Sequence, residues 1–252
     1  MAQKIYWSAQ QLRISIFPTS TWNASVDLWP QVTGTEKEKE TTNSKTGEII
    51  QEGWYNKQKL VLAVNPVKID LILTVSIPAH IEKGETIVDT LGSLDEALKV
   101  FQSLVNMWLL NKQLPEVNRL AFGAQLIKIM PSREAVYKEL AGYTPINLNP
   151  TIMTDFKFEI NLLTKSKIFK TLGLNRLTKW GALQLTPEAS IVGQSVPVHK
   201  YPTINFARVE LDINTSQHNK DILDKKILSS LYSELIGLGY ELSVEGVLKY
   251  VK

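Results

Sequence analysis

The alternation of apolar and polar residues along the chain predicts antiparallel strands. From Val67 to Thr74 every second residue is apolar, so Lys68 and Asp70 fall on the opposite face of a period-two pattern. Such alternation is typical of an antiparallel strand with one solvated face, to which we assign both charged residues. Further strands are predicted over residues 11–17, 49–55, 59–64, 118–130, 155–163, 175–185 and 203–214.

A long helix is predicted over residues 93–113. Ser93 and Glu96 form an S-x-x-E capping box at its start. Apolar residues then recur at spacings of three and four, and they cover most of the circumference of the helix. This breadth predicts a helix that packs on more than one surface.

Two more helices are predicted further along the chain. A short helix begins at Pro131 and ends at Gly142. A second long amphipathic helix is expected over 221–238, and Gly237 and Gly239 are expected to weaken and end it.

Two segments lack a regular pattern. The segment 33–53 mixes Lys and Glu with Thr, Asn, Ser and Gly, and its first part is predicted to be a mobile loop because it has almost nothing to bury. The segment 187–202 contains three prolines and is predicted to be a long loop.

The order of these elements predicts an α+β fold. Strands come in runs, which favours mainly antiparallel strands with the two long helices packed on the sheet. The segment 143–154 holds two prolines and two asparagines without a helical period, so we expect an N-terminal α+β half over 1–145 and a C-terminal α+β half over 146–252. One continuous domain is the alternative. The segments 118–131 and 175–187 share Asn-Arg-Leu, a glycine and a final proline, an echo compatible with two similar halves.

Composition excludes several kinds of site. The chain has no cysteine, which excludes disulfides, CxxC zinc sites, iron–sulfur clusters and cysteine nucleophiles. Its three histidines stand far apart in the sequence, and no glycine-rich phosphate loop is present. The net charge of +3 is too small to imply a polyanionic partner for the whole molecule. We therefore expect no cofactor and assign no catalytic residue.

The first residues and the overall hydropathy predict a cytoplasmic protein. The stretch MAQKIYWSAQQLRISIF lacks the apolar core of a secretory signal. No window approaches the ~18 consecutive apolar residues of a membrane-spanning helix. We accordingly expect no membrane association.

A basic segment is the first candidate for a binding site. No acidic residue occurs between Glu159 and Glu188. Lysine and arginine attract phosphates, and aromatic rings stack on unpaired bases, so 160–187 is a candidate nucleic-acid interface. The alternative is a solvated or protein-facing patch. The candidate residues are Lys165, Lys167, Lys170, Arg176, Lys179 and Trp180.

Three carboxylates form the second candidate. Glu210 and Asp212 share one side of the strand 208–214 and could bind Mg²⁺ or Mn²⁺ if a neighbouring strand supplied a third oxygen ligand. Asp70 is that ligand only if its strand lies alongside, and the protein would then be a metal-dependent hydrolase. The alternative is that these acids face solvent, with Arg208 offsetting their charge.

The function favoured by these patterns is that of a non-enzymatic interaction protein, a subunit of a larger protein assembly. Six tryptophans, several in weakly periodic segments, accompany a helix that is apolar over most of its circumference. Aromatic residues at surfaces often anchor partners, although a core position for all six is the alternative. The expected partner is another protein or a second copy of the chain.

Overall fold

The computed structural model describes residues 6–21, 27–82, 85–110, 114–186, 188–189, 199–200 and 202–251. Over these residues the predicted α+β class with mainly antiparallel strands is confirmed. The strands are β1 (Ser8–Pro18), β2 (Lys39–Asn43), β3 (Glu48–Tyr55), β4 (Gln58–Asn65), β5 (Lys68–Thr74), β6 (Ala79–Glu82), β7 (Glu85–Val88), β8 (Val117–Met130), β9 (Lys157–Lys165), β10 (Gly173–Leu185), β11 (Glu188–Ala189), β12 (His199–Lys200) and β13 (Ile204–Thr215).

Nine of these strands form one antiparallel sheet in the order β2-β3-β4-β5-β1-β8-β13-β10-β9. The pairs β6–β7 and β11–β12 are separate two-stranded sheets. The helices are α1 (Trp29–Thr33), α2 (Leu94–Leu109), α3 (Arg133–Ala141) and α4 (Lys225–Glu245), followed by a 3-10 helix at Leu248–Tyr250. None of the helices in the described part of the chain combines the length and apolar character needed to span a bilayer.

Each strand predicted from alternation is present, with ends that differ by up to three residues. Along β1 the residues Leu12, Ile14 and Ile16 are buried against the helices. Equivalent positions of β5, β8 and β13 complete the same layer. The core therefore lies between one face of the large sheet and the helices, as a sheet with one apolar face requires.

Helix α2 follows the sequence prediction closely. Ser93 caps it, and the Ser93 and Glu96 side chains form both bonds of the capping box. It packs against β1, α1 and α4, so the expectation of several contact surfaces is confirmed. The last predicted residues, 111–113, lie outside the described residues.

The predicted end of α4 is wrong. The helix continues through Gly237 and Gly239 and ends at Gly246, whose φ of 67° is the left-handed conformation that favours glycine. A Cβ on Gly239 would lie 2.9 Å from a ring carbon of Phe122. This glycine therefore lets the helix approach the sheet closely instead of ending the helix.

The prediction of a mobile loop in the first part of 33–53 is wrong at β2. This strand pairs with β3 in the register Thr41 opposite Ile50, although all five of its side chains are exposed. Main-chain hydrogen bonds to β3 order this segment although it buries no side chain. Such bonds involve no side chain, so amino-acid composition could not predict them. Most of the loop predicted over 187–202 lies outside the described residues.

The sheet contains two halves with similar connectivity, although the meander of the first half has four strands, β2 to β5, and that of the second has three. In one, β1 lies at the centre, the chain passes through α1 to the edge, returns as a meander ending in β5, and continues to α2. In the other, β8, α3, the meander β9-β10-β13 and α4 follow the same path. The first half ends with α2 and the second half begins with β8. The domain division at residue 145 stays a prediction. The sequence similarity between segments 118–131 and 175–187 relates β8 to β10, and these two strands do not occupy equivalent positions in the two halves.

Candidate interaction surface

The face of the large sheet opposite the helices, called the open face below, carries many charged side chains and also the exposed apolar residues Trp54, Ile129 and Leu163. All helices that contact the sheet in the described structure pack on the other face. Solvent-exposed ion pairs contribute little stability, about 0–1 kcal/mol each, and this applies to the ion pairs of the open face other than Lys68–Asp70, whose carboxylate is buried. The pairs on the open face are Arg13–Asp212 at 3.6 Å, Lys59–Glu52 at 3.3 Å, Lys68–Asp70 at 2.6 Å, Lys179–Glu159 at 3.3 Å and Arg208–Glu210 at 2.8 Å.

The three candidate metal ligands do not meet. Glu210 and Asp212 lie on β13, and Asp70 lies on β5, with β1 and β8 between the two strands. Three strand spacings separate β5 from β13, about 14 Å. Among the residues described, no three His, Asp or Glu side chains lie close enough to hold a metal ion. The condition for a joint site, adjacent strands, is not met.

Asp70 differs from its sequence prediction in one respect. It lies on the face opposite Ile69 and Leu71, as the alternation predicts, but it is only 6% exposed. One carboxylate oxygen lies 2.6 Å from the Lys68 amine, and the other has no hydrogen-bond partner. The expectation of a solvated carboxylate is wrong. The strand β5 lies between β4 and β1 in the interior of the sheet, and Asp70 lies opposite Ser15 on β1.

The residues of the candidate nucleic-acid interface lie on different sides of the sheet. Trp180 is buried on the helix face and stacks on Tyr143 with ring centroids 5.0 Å apart. Arg176 is buried on the same face, with its guanidinium 4.5 Å from the centroid of the Tyr250 ring. Lys179 lies on the open face, paired with Glu159. These three candidates therefore do not share one surface.

The three remaining basic candidates lie close together in the sequence. Lys165, Lys167 and Lys170 are exposed at and after the end of β9. Phe169, the nearest aromatic ring, is partly buried against the core. The aromatic rings that would stack on bases thus point inward, while the lysines face solvent.

The two edges of the large sheet are unlike each other. At one edge, β2 is short and consists of the polar residues KETTN. At the other edge, β9 runs for nine residues, KFEINLLTK, without proline or glycine. Natural sheets protect exposed edges by short strands, prolines, bulges and charged side chains. β2 has such protection, whereas β9 carries charge only near its ends.

The phase of the β9–β10 ladder shows which main-chain groups of β9 are unused. The flanking bonds from Ser166 N to Leu172 O at 2.9 Å and from Ala182 N to Phe156 O at 3.2 Å fix the hydrogen-bonded pairs. Even-numbered residues of β9 therefore bond to β10, since hydrogen-bonded residues alternate in an antiparallel pair. The odd-numbered residues direct N–H and C=O groups to the outer edge, where no other described segment bonds to them.

The side chains of β9 are apolar in the middle of the strand. Leu163, on the open face, is 76% exposed. Phe158, Ile160 and Leu162, on the helix face, pack against the margin of the core and stay partly accessible. A strand added along this edge would cover apolar surface on both faces of the sheet.

A buried lysine was missed in the sequence. Lys128 is 6% exposed, and its amine donates to Glu139 at 2.5 Å and to the Tyr143 hydroxyl at 2.7 Å. Burial raises the pKa of the Tyr143 phenol, which stays protonated and donates to Glu139 at 3.0 Å. The signal was present, because Lys128 is in phase with the buried residues Phe122 and Leu126.

Lys128, Glu139 and Tyr143 form a hydrogen-bonded cluster, the Lys128 cluster, which borders a cavity of about 430 Å³ between β8, α2 and α4. The Trp7 indole N–H donates to the Ser243 carbonyl at 2.7 Å, and the Lys128 amine lies 4.7 Å from the Trp7 ring centroid. The polar groups of Lys128 and Trp7 thus have partners inside the protein. The cluster joins α3 and α4 to the sheet.

Comparison with profiles of known protein families and with curated proteins finds no match. Functional inference therefore rests on the geometry of the chain itself.

Proposed function

We propose that the chain is a non-enzymatic interaction protein, a cytoplasmic subunit of a larger assembly, which docks a partner strand on the outer edge of β9. The observation that carries this proposal is the contrast between the two sheet edges. β2 is short and polar, while β9 presents nine residues with outward main-chain groups and an apolar middle. An unprotected edge of this kind is a template for another strand.

Strand addition explains both affinity and selectivity at such an edge. Main-chain hydrogen bonds to the odd-numbered residues of β9 would supply affinity, each worth about 0.5–1.5 kcal/mol net. Alternate side chains of the added strand would meet Leu163 on one face and Ile160 and Leu162 on the other. Burying apolar surface there adds about 25 cal/mol per Å².

The geometry favours this function over the two alternatives. A nucleic-acid interface would use Lys165, Lys167 and Lys170 without a stacking ring, because Phe169 and Trp180 pack inward. A metal-dependent hydrolase would need carboxylates that converge, and the three candidates lie on β5 and β13.

Asn161→Pro is expected to abolish docking while the fold remains intact. Asn161 is odd-numbered, so proline removes an outward N–H without removing a β9–β10 bond, and edge strands tolerate proline. The matched control is Asn161→Ala, which keeps that N–H. Docking is measured in extracts of the source cells by a photo-crosslinking residue placed at position 163 of the wild-type chain, of Asn161→Pro and of Asn161→Ala.

The wild-type chain and Asn161→Ala should give one main crosslinked adduct, and Asn161→Pro should lose at least about 90% of it. Melting curves should show both variants folded, because neither change touches the core. An adduct of equal yield in Asn161→Pro would contradict docking by strand addition, as would the absence of any adduct in wild type.

A further inference from the structure

The sequence of β9 is complementary to itself in one antiparallel register. Two copies of KFEINLLTK can face each other about a two-fold axis, and their outward groups meet only if odd residues lie opposite odd residues. A shift of one residue would exchange the two faces of the sheet, so the number of possible registers is small.

Charge distinguishes among these registers. With Asn161 opposite its own copy, Lys157 lies opposite Lys165 of the second copy, and like charges directly opposite each other are unfavourable. With Ile160 opposite its own copy, no ion pair forms among the nine residues of the strand. With Leu162 opposite its own copy, Glu159 lies opposite Lys165 of the second copy, and the symmetry produces this pair twice.

From this register we propose, building on the proposed function, that the docking partner is a second copy of the chain. The two β9 strands join in antiparallel orientation about a two-fold axis at Leu162. Glu159, Asn161, Leu163 and Lys165 of each copy then exchange about eight main-chain hydrogen bonds. The two nine-stranded sheets become one continuous sheet.

Side chains on both faces fit the same register. On the open face, Leu163 packs beside Asn161 of the second copy, which covers the 76% exposed leucine. On the helix face, Leu162 meets its own counterpart, and Ile160 lies opposite Thr164. Glu159 can still reach Lys179, its intramolecular partner at 3.3 Å, because a carboxylate accepts bonds from two cations.

A charge exchange between two variants tests both the partner and the register. Lys165→Glu places two carboxylates opposite each other at each pair, and Glu159→Lys places two amines there. In a mixture, a dimer of one copy of each variant regains both ion pairs: the unchanged Glu159 faces the unchanged Lys165 with the wild-type polarity, and the two substituted positions form a pair of reversed polarity.

Sedimentation should find wild type as a dimer of twice 28.4 kDa at micromolar concentration and each variant alone as a monomer, with a dissociation constant raised at least ~10-fold. The equimolar mixture should form a dimer again, which a misfolded variant could not do. Dimers of undiminished affinity in both single variants, or no recovery on mixing, would overturn the register.

Failure of this inference differs from failure of the proposed function. A wild-type chain that stays monomeric at ~100 µM, with an adduct of a different protein in extracts, would overturn the second copy as partner and leave strand docking standing. An adduct that persists undiminished in Asn161→Pro would overturn the docking itself.

Discussion

Glu139→Gln is expected to destabilise the protein by about 3–5 kcal/mol, because it leaves a buried lysine without its counter-ion. Lys128 is 6% exposed, whereas Glu139 is 28% exposed on α3. The glutamine keeps the shape of the side chain, so the loss reports the charge. Unfolding in urea, analysed for the free energy of unfolding, measures it.

Lys128→Met is the control for this pair. It removes the buried charge and keeps most of the volume, while the carboxylate left behind on Glu139 remains accessible to water. We expect a loss of about 1–2 kcal/mol, smaller than that of Glu139→Gln. Equal losses in the two variants, or losses below about 1 kcal/mol in both, would show that the pair is not a desolvated ion pair.

Phe101→Ala is expected to cost about 3–5 kcal/mol, as large-to-small changes in a packed core do. Phe101 lies on α2 and is completely buried. The alanine would leave a cavity between α2 and the sheet that the surrounding side chains fill only in part. Chemical denaturation measures the loss.

Met107→Ala on the same helix is the matched comparison, because Met107 is 54% exposed. Its loss should stay within about 0.5 kcal/mol, as for surface changes away from special features. A loss below about 1 kcal/mol for Phe101→Ala would show that its ring is not in a packed core.

The sequence was informative where structure depends on neighbouring residues. Lys68 and Asp70 alternate with Ile69 and Leu71, and this local period places them on the face opposite the core. The capping box at Ser93 is likewise a contact among residues three apart. Strands and the start of α2 could therefore be read directly from the pattern.

Strand order and close packing depend on distant residues and could not be read in the same way. Nothing near Asp70 indicates that β1 and β8 separate it from Asp212. The role of Gly239 depends on Phe122, which belongs to a strand far earlier in the chain. A helix-ending glycine and a close-packing glycine look alike in sequence.

The candidate sites show the same division. The period of β10 already places Arg176 and Trp180 on the face opposite Lys179, so their separation was available from the sequence. The outer edge of β9 was not, because alternation assigns residues to the two faces of a sheet and does not indicate which strand lies at the margin.

Residue-resolved amide hydrogen exchange on β9 tests the central claim, that its outer edge is the docking surface, most directly. In the monomeric Lys165→Glu variant, the amides of Ile160 and Leu162 should exchange slowly, because they bond to β10, and those of Asn161 and Leu163 should exchange fast. In the assembled wild-type protein, the Asn161 and Leu163 amides should slow by at least ~100-fold. Fast exchange of these two amides in every assembly that the chain forms would contradict docking at this edge.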